Sequence, residues 1–236
     1  MKIKIKKGRI PIFLLIALIG AGITASGVLY HVAFIKLLPL YVSLAIMFFS
    51  SEGRRIAPLI GSINSLLYAF VDFSYGLYAT ALSDVLISFT LQMATFILWT
   101  KRKDGATTRF RTMKWRYRIL LVLGMAVVYV PCLYVNTNAG ATAAPLDTFS
   151  LVNGFVCPVL TLFAFTEYTV FTLVGAVVTL IMNITMLEAM PDRLPYLIFS
   201  VYSLICCAIA TVNVWRIYKD QLTRFKTEEE TNATEI

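Results

Sequence analysis

The sequence predicts an all-α membrane protein of about eight transmembrane helices. Three observations carry that prediction. Among 236 residues, 58% are hydrophobic and only 14% are charged, whereas a soluble domain carries about a quarter charged residues. The apolar residues come in long blocks rather than amphipathic stripes, and a bilayer core of roughly 30 Å asks for about 20 apolar residues per helix. The basic residues stand in short clusters beside those blocks.

The first span, residues 10–30, follows the basic start MKIKIKKGRI. No small-x-small cleavage site stands out, and the run reaches about 20 residues, so it reads as an uncleaved span rather than a signal peptide. The next three spans are 37–51, 56–73 and 77–99. Pro58 stands where a proline starts a helix, and Trp99 closes the fourth span just before Lys101. A basic loop, 101–118, leads into the fifth span, 119–135, which carries Pro131. The uncharged stretch NTNAGATAAP precedes the sixth span, 146–165, near whose start Asp147 is a candidate N-cap. The last two spans are 170–187 and 194–215. Three segments result: a basic terminus at 1–9, a transmembrane domain at 10–219, and a polar, acidic tail at 220–236. Its final stretch, TEEETNATEI, reads as disordered.

Charge sets the orientation. With eight spans and the N-terminus inside, the cytoplasmic segments collect every Lys and Arg except Lys36 and Arg193. Those segments are 1–9, the turn at Arg54 and Arg55, the loop 101–118, the turn at Thr166 and Glu167, and the tail from Arg216. Seven spans would put one basic end outside. Both termini are therefore expected in the cytoplasm, with the protein in the cell (inner) membrane. The net charge of +8 is explained by attraction to the anionic leaflet, and no nucleic-acid partner is expected.

An internal echo links the halves. Asn64, Tyr78 and Trp99 recur in order as Asn183, Tyr196 and Trp215. This suits two parallel three-helix repeats, spans two to four and six to eight, with the fifth span as connector helix and an extra N-terminal helix. Parallel repeats of this kind place the solute site at their interface.

Polar groups inside a span are costly and need a partner or a task. Asn64 and Tyr68 lie four apart on one helical face. Asp84, Ser88 and Gln92 continue at intervals of four, a polar stripe about two turns long. Thr169, Thr172 and Asn183 face them from the second repeat, with Asp147, Asn153 and Thr179 as further polar positions. Two readings stand side by side: the wall of a mid-membrane solute site, or interhelical packing in which these groups bond each other. Trp99 and Trp215 suit an aromatic belt. Cys132, Cys157, Cys206 and Cys207 lie in apolar spans as small packing residues, and His31 stands alone near the outer surface.

The chain lacks a G-x-x-x-x-G-K-S/T loop, a paired metal-ligand set, and a nucleophile with a histidine base beside it. No cofactor, no metal and no enzymatic activity are expected.

The stretch GSINSLLYAFVDFSYGLYATALSDVLISFTLQMATFILW resembles the PnuC family of vitamin and nucleoside (nicotinamide riboside) membrane transporters. The likeness rests on Gly61, Asn64, Tyr68, Gly76-Leu77-Tyr78, Gln92 and Trp99. Asp147, Glu167 and the pair Trp215-Arg216 extend it to about 37–219. The resemblance implies a facilitator for a small vitamin-like or nucleoside-like solute, trapped inside by phosphorylation. It also implies a homotrimer. Nicotinamide riboside members carry Trp-x-x-Trp-x-x-x-Asn just after the glutamate, and here those places hold Thr169, Thr172 and Ala176. The aromatic platform for that substrate is thus absent from this helix. The site expected is Asn64, Tyr68, Asp84, Ser88 and Gln92 from one repeat, with Thr169, Thr172 and Asn183 from the other. The rival class is a substrate-binding membrane subunit that works with a separate energising partner.

Overall fold

The computed structural model describes residues 10–74, 84–105, 107–138, 144–187 and 194–234. Among the described residues the helices are α1 (Ile10–Leu29), α2 (Phe34–Ser51), α3 (Ala57–Ser74), α4 (Thr90–Lys101), α5 (Trp115–Asn138), α6 (Ala144–Leu162), α7 (Tyr168–Leu187) and α8 (Leu194–Thr234). A π-helical segment, Asp84–Phe89, runs directly into α4. Two short antiparallel strands, β1 (Lys103–Asp104) and β2 (Thr107–Thr108), form a hairpin between α4 and α5. The expected start of the fourth span, including Tyr78, lies outside the described residues.

The helices match the predicted spans. Five stretches are long and apolar enough to cross a bilayer: Phe34–Ser51, Trp115–Asn138, Ala144–Leu162, Tyr168–Thr185 and Leu194–Arg224. Three shorter apolar helices, Phe13–Leu29, Ala57–Phe70 and Val85–Lys101, join them. An apolar exterior this extensive is stable only in lipid, so this is an integral membrane protein.

The turn after α2 recurs after α6, with a constant offset of 111 residues from Gly53 to Ala164 and from Arg54 to Phe165. Both Gly53 (φ 65°) and Ala164 (φ 56°) are left-handed. Gly53 N–H donates to Ser50 O at 2.9 Å and Arg54 N–H to Phe49 O at 3.0 Å. The counterparts are Ala164 N–H to Thr161 O at 2.9 Å and Phe165 N–H to Leu160 O at 3.1 Å. One short loop touches both turns: Thr107 pairs with Arg54, and Arg111 pairs with Phe165. The two turns therefore lie at the same end of the bundle, which makes α2 and α6 parallel.

The halves then interlock. Within each half the three helices pack in sequence, α2 on α3 on α4 and α6 on α7 on α8. Across the halves, α4 packs on α6 and α8 packs on α2. The same bond type marks both crossings. Trp99 Nε1 donates to Thr161 O at 2.7 Å, and Asn213 Nδ2 donates to Ser51 O at 2.9 Å. Each accepts at a helix C-terminus, where carbonyls lack intrahelical partners. The buried Trp99 is thus a tie between halves rather than a member of an aromatic belt.

The echo chosen from the sequence differs from this repeat. Asn64 bonds the helix before its own, while Asn183 bonds the helix after it, so the two asparagines are not equivalent. The outer parts behave as expected. α1 packs on α8 and α2, outside both halves, and α5 packs on α6 with none of its residues buried. A helix of 41 residues is about 60 Å long, twice the bilayer core. α8 therefore projects beyond the membrane, and the tail read as disordered continues as helix to Thr234. Its buried Gln221 explains part of this. Phe110 N–H donates to Gln221 Oε1 at 3.0 Å, and Gln221 Nε2 donates to Thr108 O at 2.9 Å.

Candidate functional site

Where the halves meet, a cavity of about 360 Å³ is lined by α2, α4, α6, α7 and α8, with the start of α3 at its edge. Four expected site residues line it: Ser88 and Gln92 from the α4 side, and Thr169 and Thr172 from α7. Two members of the predicted stripe, Ser88 and Gln92, therefore line a space shared by both halves. Sequence reasoning missed Ser50, Thr95 and Thr161, which also line it. Thr95 lies three residues after Gln92, and Thr161 four after Cys157, so helical spacing was the available signal.

Three expected residues do not meet there. Asn64 is buried, and its Nδ2 donates to Ser43 Oγ on α2 at 2.9 Å. Asn183 is buried too, and its Nδ2 donates to Ser200 Oγ on α8 at 2.6 Å. Both amide nitrogens are committed to neighbouring helices, the packing use of polar groups in lipid, while Asn64 Oδ1 is buried away from this cavity without a hydrogen-bond partner among the described residues. Tyr68 is half-buried on α3 and is not among the lining residues. The side chains of Asp84 and Asp147 lie outside the described residues. By backbone, Asp84 opens the π-helical segment and Asp147 stands inside the first turn of α6 rather than at its N-cap.

The wall has a definite hydrogen-bonding character. Thr95 Oγ1 donates to Leu91 O at 2.7 Å, Thr161 Oγ1 to Cys157 O at 2.8 Å, and Thr172 Oγ1 to Tyr168 O at 2.8 Å. A hydroxyl bound to its own helix spends its proton and keeps acceptor lone pairs. Gln92 Nε2 donates to Ser65 Oγ at 2.9 Å. Among the described residues no Asp, Glu, Lys, Arg or His lines the cavity.

At the end nearer the turns, Tyr168 forms part of the wall. Its ring stacks with Phe110 at 6.5 Å, and Phe110 meets Trp99 edge-on at 5.7 Å. This aromatic floor is held from the loop side by Gln221. Beside it Glu167, nearly buried, ion-pairs with Arg118 at 2.6 Å and accepts the Met113 N–H at 3.1 Å. Glu167 thus anchors the connector helix to the start of α7 and does not reach the cavity.

A second cavity of about 360 Å³ adjoins the first, farther from the turns. The two share Gly154, Cys157, Pro158, Thr172 and Cys207 as a common wall. Cys157 Sγ and Thr172 Oγ1 meet there at 2.9 Å.

Residues 33–217 match the family model described as nicotinamide mononucleotide transporter. The chain belongs to the nicotinamide mononucleotide transporter family. Its backbone is also similar to the crystal structure of the vitamin B3 transporter PnuC, with a TM-score of 0.71 over 89% of this chain and 92% of that chain. At 18% sequence identity that likeness speaks for the fold. The search of curated proteins found no match. Within the family frame, the interlocked halves and the cavity between them are the parts that a carrier requires.

Proposed function

We propose that this chain carries a small, uncharged, vitamin-like or nucleoside-like solute across the cell (inner) membrane, with both termini in the cytoplasm. The single observation that supports this most is the hydroxyl-bearing cavity at the junction of two parallel halves, which no charged side chain lines among the described residues. Its volume lies in the range of small-molecule sites, about 300–1,000 Å³. A phosphate dianion would have to give up its hydration here with no Lys, Arg or His among the described lining residues to receive it, which costs several kcal/mol. The unphosphorylated solute is therefore the better cargo. Facilitated diffusion, with trapping by phosphorylation in the cytoplasm, belongs to this reading by family resemblance, and the sequence carries no phosphate-cradling loop of its own. A homotrimer belongs to the same reading by family resemblance.

Ser88, Gln92, Thr169 and Thr172 are the proposed contacts. The test is uptake of labelled nicotinamide riboside, nucleosides and B vitamins by the purified chain in liposomes. Gln92→Ala and a Thr169→Val, Thr172→Val double variant should abolish uptake while melting as the wild type does. Full uptake in both variants removes these residues from the site. A requirement for a second protein would transfer the function to the capture-subunit class.

A further inference from the structure

The second cavity contains a polar group for which the fold provides no partner. Asn153 on α6 is 7% exposed and lines this cavity. Its Nδ2 donates to Phe171 O at 3.2 Å, while its Oδ1 is buried without a hydrogen-bond partner among the described residues. Ser150, one turn earlier on the same wall, has an unpartnered Oγ as well. A buried carbonyl oxygen left unpaired destabilises the fold, so an orphan beside a cavity invites a donor from outside the protein.

Three other hydroxyls on that wall have spent their protons. Ser200 Oγ donates to Tyr196 O at 2.8 Å and Ser203 Oγ to Met47 Sδ at 3.7 Å. Thr172 Oγ1 donates to Tyr168 O at 2.8 Å. What remains for a ligand is chiefly acceptor capacity, with the Ser150 and Thr179 hydroxyls able to serve either way. The asparagine is also held in place. Its amide lies over Gly175, where any Cβ would collide with Nδ2. Gly175 is thus the cut-out in α7 that lets the Asn153 amide lie flat between the helices, with its nitrogen committed and its oxygen free.

We propose that Asn153 is the specificity-determining residue of this carrier: its Oδ1 receives an N–H donor, an amino or carboxamide group, on the ring of the solute. This rests on the transport reading above and names the group that the site selects. A ring carbonyl or carboxylate at the same place would set oxygen against oxygen. Ribose hydroxyls, being both donor and acceptor, would not discriminate.

The experiment uses the full chain in detergent and matched pairs of ribosides that differ in one group: cytidine against uridine, and nicotinamide riboside against nicotinic acid riboside. Wild type should bind the amino or carboxamide member of each pair about tenfold tighter or more. Asn153→Leu should bring the two members within about threefold. Its apparent melting temperature without ligand should hold or rise by about 2–4 °C, because an unpaired carbonyl has gone. Gly175→Ala, which displaces the amide without removing it, should lose discrimination in the same way. An equal preference in wild type and Asn153→Leu overturns the inference, as does a wild type that favours the oxygen-bearing member. If wild type binds none of the four ribosides yet takes up another solute, this inference fails and the transport reading stands. If liposomes bearing the chain take up no solute, both fail.

Discussion

The carboxamide of Gln92 lies directly against Gly61, one helix away, so that a Cβ built on Gly61 would collide with Oε1. On the other side of that amide, Nε2 donates to Ser65 at 2.9 Å. Gly61 and Ser65 are one turn apart on α3, so this helix presents a slot that orients the amide at the cavity edge. Gly175 does the same for Asn153 in the other half.

Filling the first slot should therefore be costly although it adds one methyl group. Gly61→Ala is expected to destabilise by about 1–3 kcal/mol through overpacking and to reduce solute affinity by displacing Gln92. Thermal melts and binding on one preparation check this. An alanine variant with wild-type affinity would show that the amide is not oriented by the slot.

Trp99 ties α4 to the end of α6 by a 2.7 Å bond from its indole nitrogen. Trp99→Phe keeps most of the ring and removes the donor, which should cost about 1 kcal/mol. Trp99→Ala also opens a void against Phe110 and Tyr168 and should cost about 3–5 kcal/mol. Denaturant unfolding of both variants reads the difference. Equal losses would mean that the ring does nothing beyond carrying its N–H.

The two equivalent turns predict an asymmetry. Gly53→Ala puts a side chain in a left-handed conformation, at about 1–2 kcal/mol, and crowds Ile217 Cδ1 at 3.3 Å. Ala164 already bears that strain and is fully buried. Ala164→Gly would relieve the strain but lose a buried methyl group, about 0.8 kcal/mol. The first variant should lower the melting temperature clearly, and the second should leave it nearly unchanged. A marked stabilisation by Ala164→Gly would show that the backbone term dominates.

Gln221 holds both Thr108 O and Phe110 N–H, and Arg224 adds an exposed ion pair to Asp104 at 3.0 Å. Gln221→Ala should release the loop that carries the aromatic floor. Limited trypsin digestion should then cut faster at Lys103 and Arg109, with little change in the melting of the helices. An unaltered cleavage rate would leave the loop held by its bridges to the two turns alone.

Much of this architecture was legible in the residues, and the reason differs from feature to feature. The stripe from Ser88 to Gln92 could be read because helical spacing sets which residues share a face. Its neighbour Thr95 bonds its own helix and still offers lone pairs, and the fold shows that it faces the cavity. Asn64 and Asn183 were expected in the site, and their nitrogens are cross-links between helices instead. Their partners, Ser43 and Ser200, are ordinary serines on other helices with no signal of their own. Trp99 at a span end resembles an interfacial anchor, and the fold turns it inward.

By itself the sequence determined that the chain lives in lipid, where its helices run, and which end of the bundle collects the basic residues. Those are matters between one segment and its solvent, set by apolar length and charge. Only the tertiary structure decided which polar groups remain available to a solute. That depends on how each helix is rotated against its neighbours, and a buried amide takes whatever partner the packing brings within hydrogen-bond reach. Gln92 and Asn153 are set at cavity walls by glycines on α3 and α7 that make room for one end of each amide, while the nitrogens of Asn64 and Asn183 meet serines first.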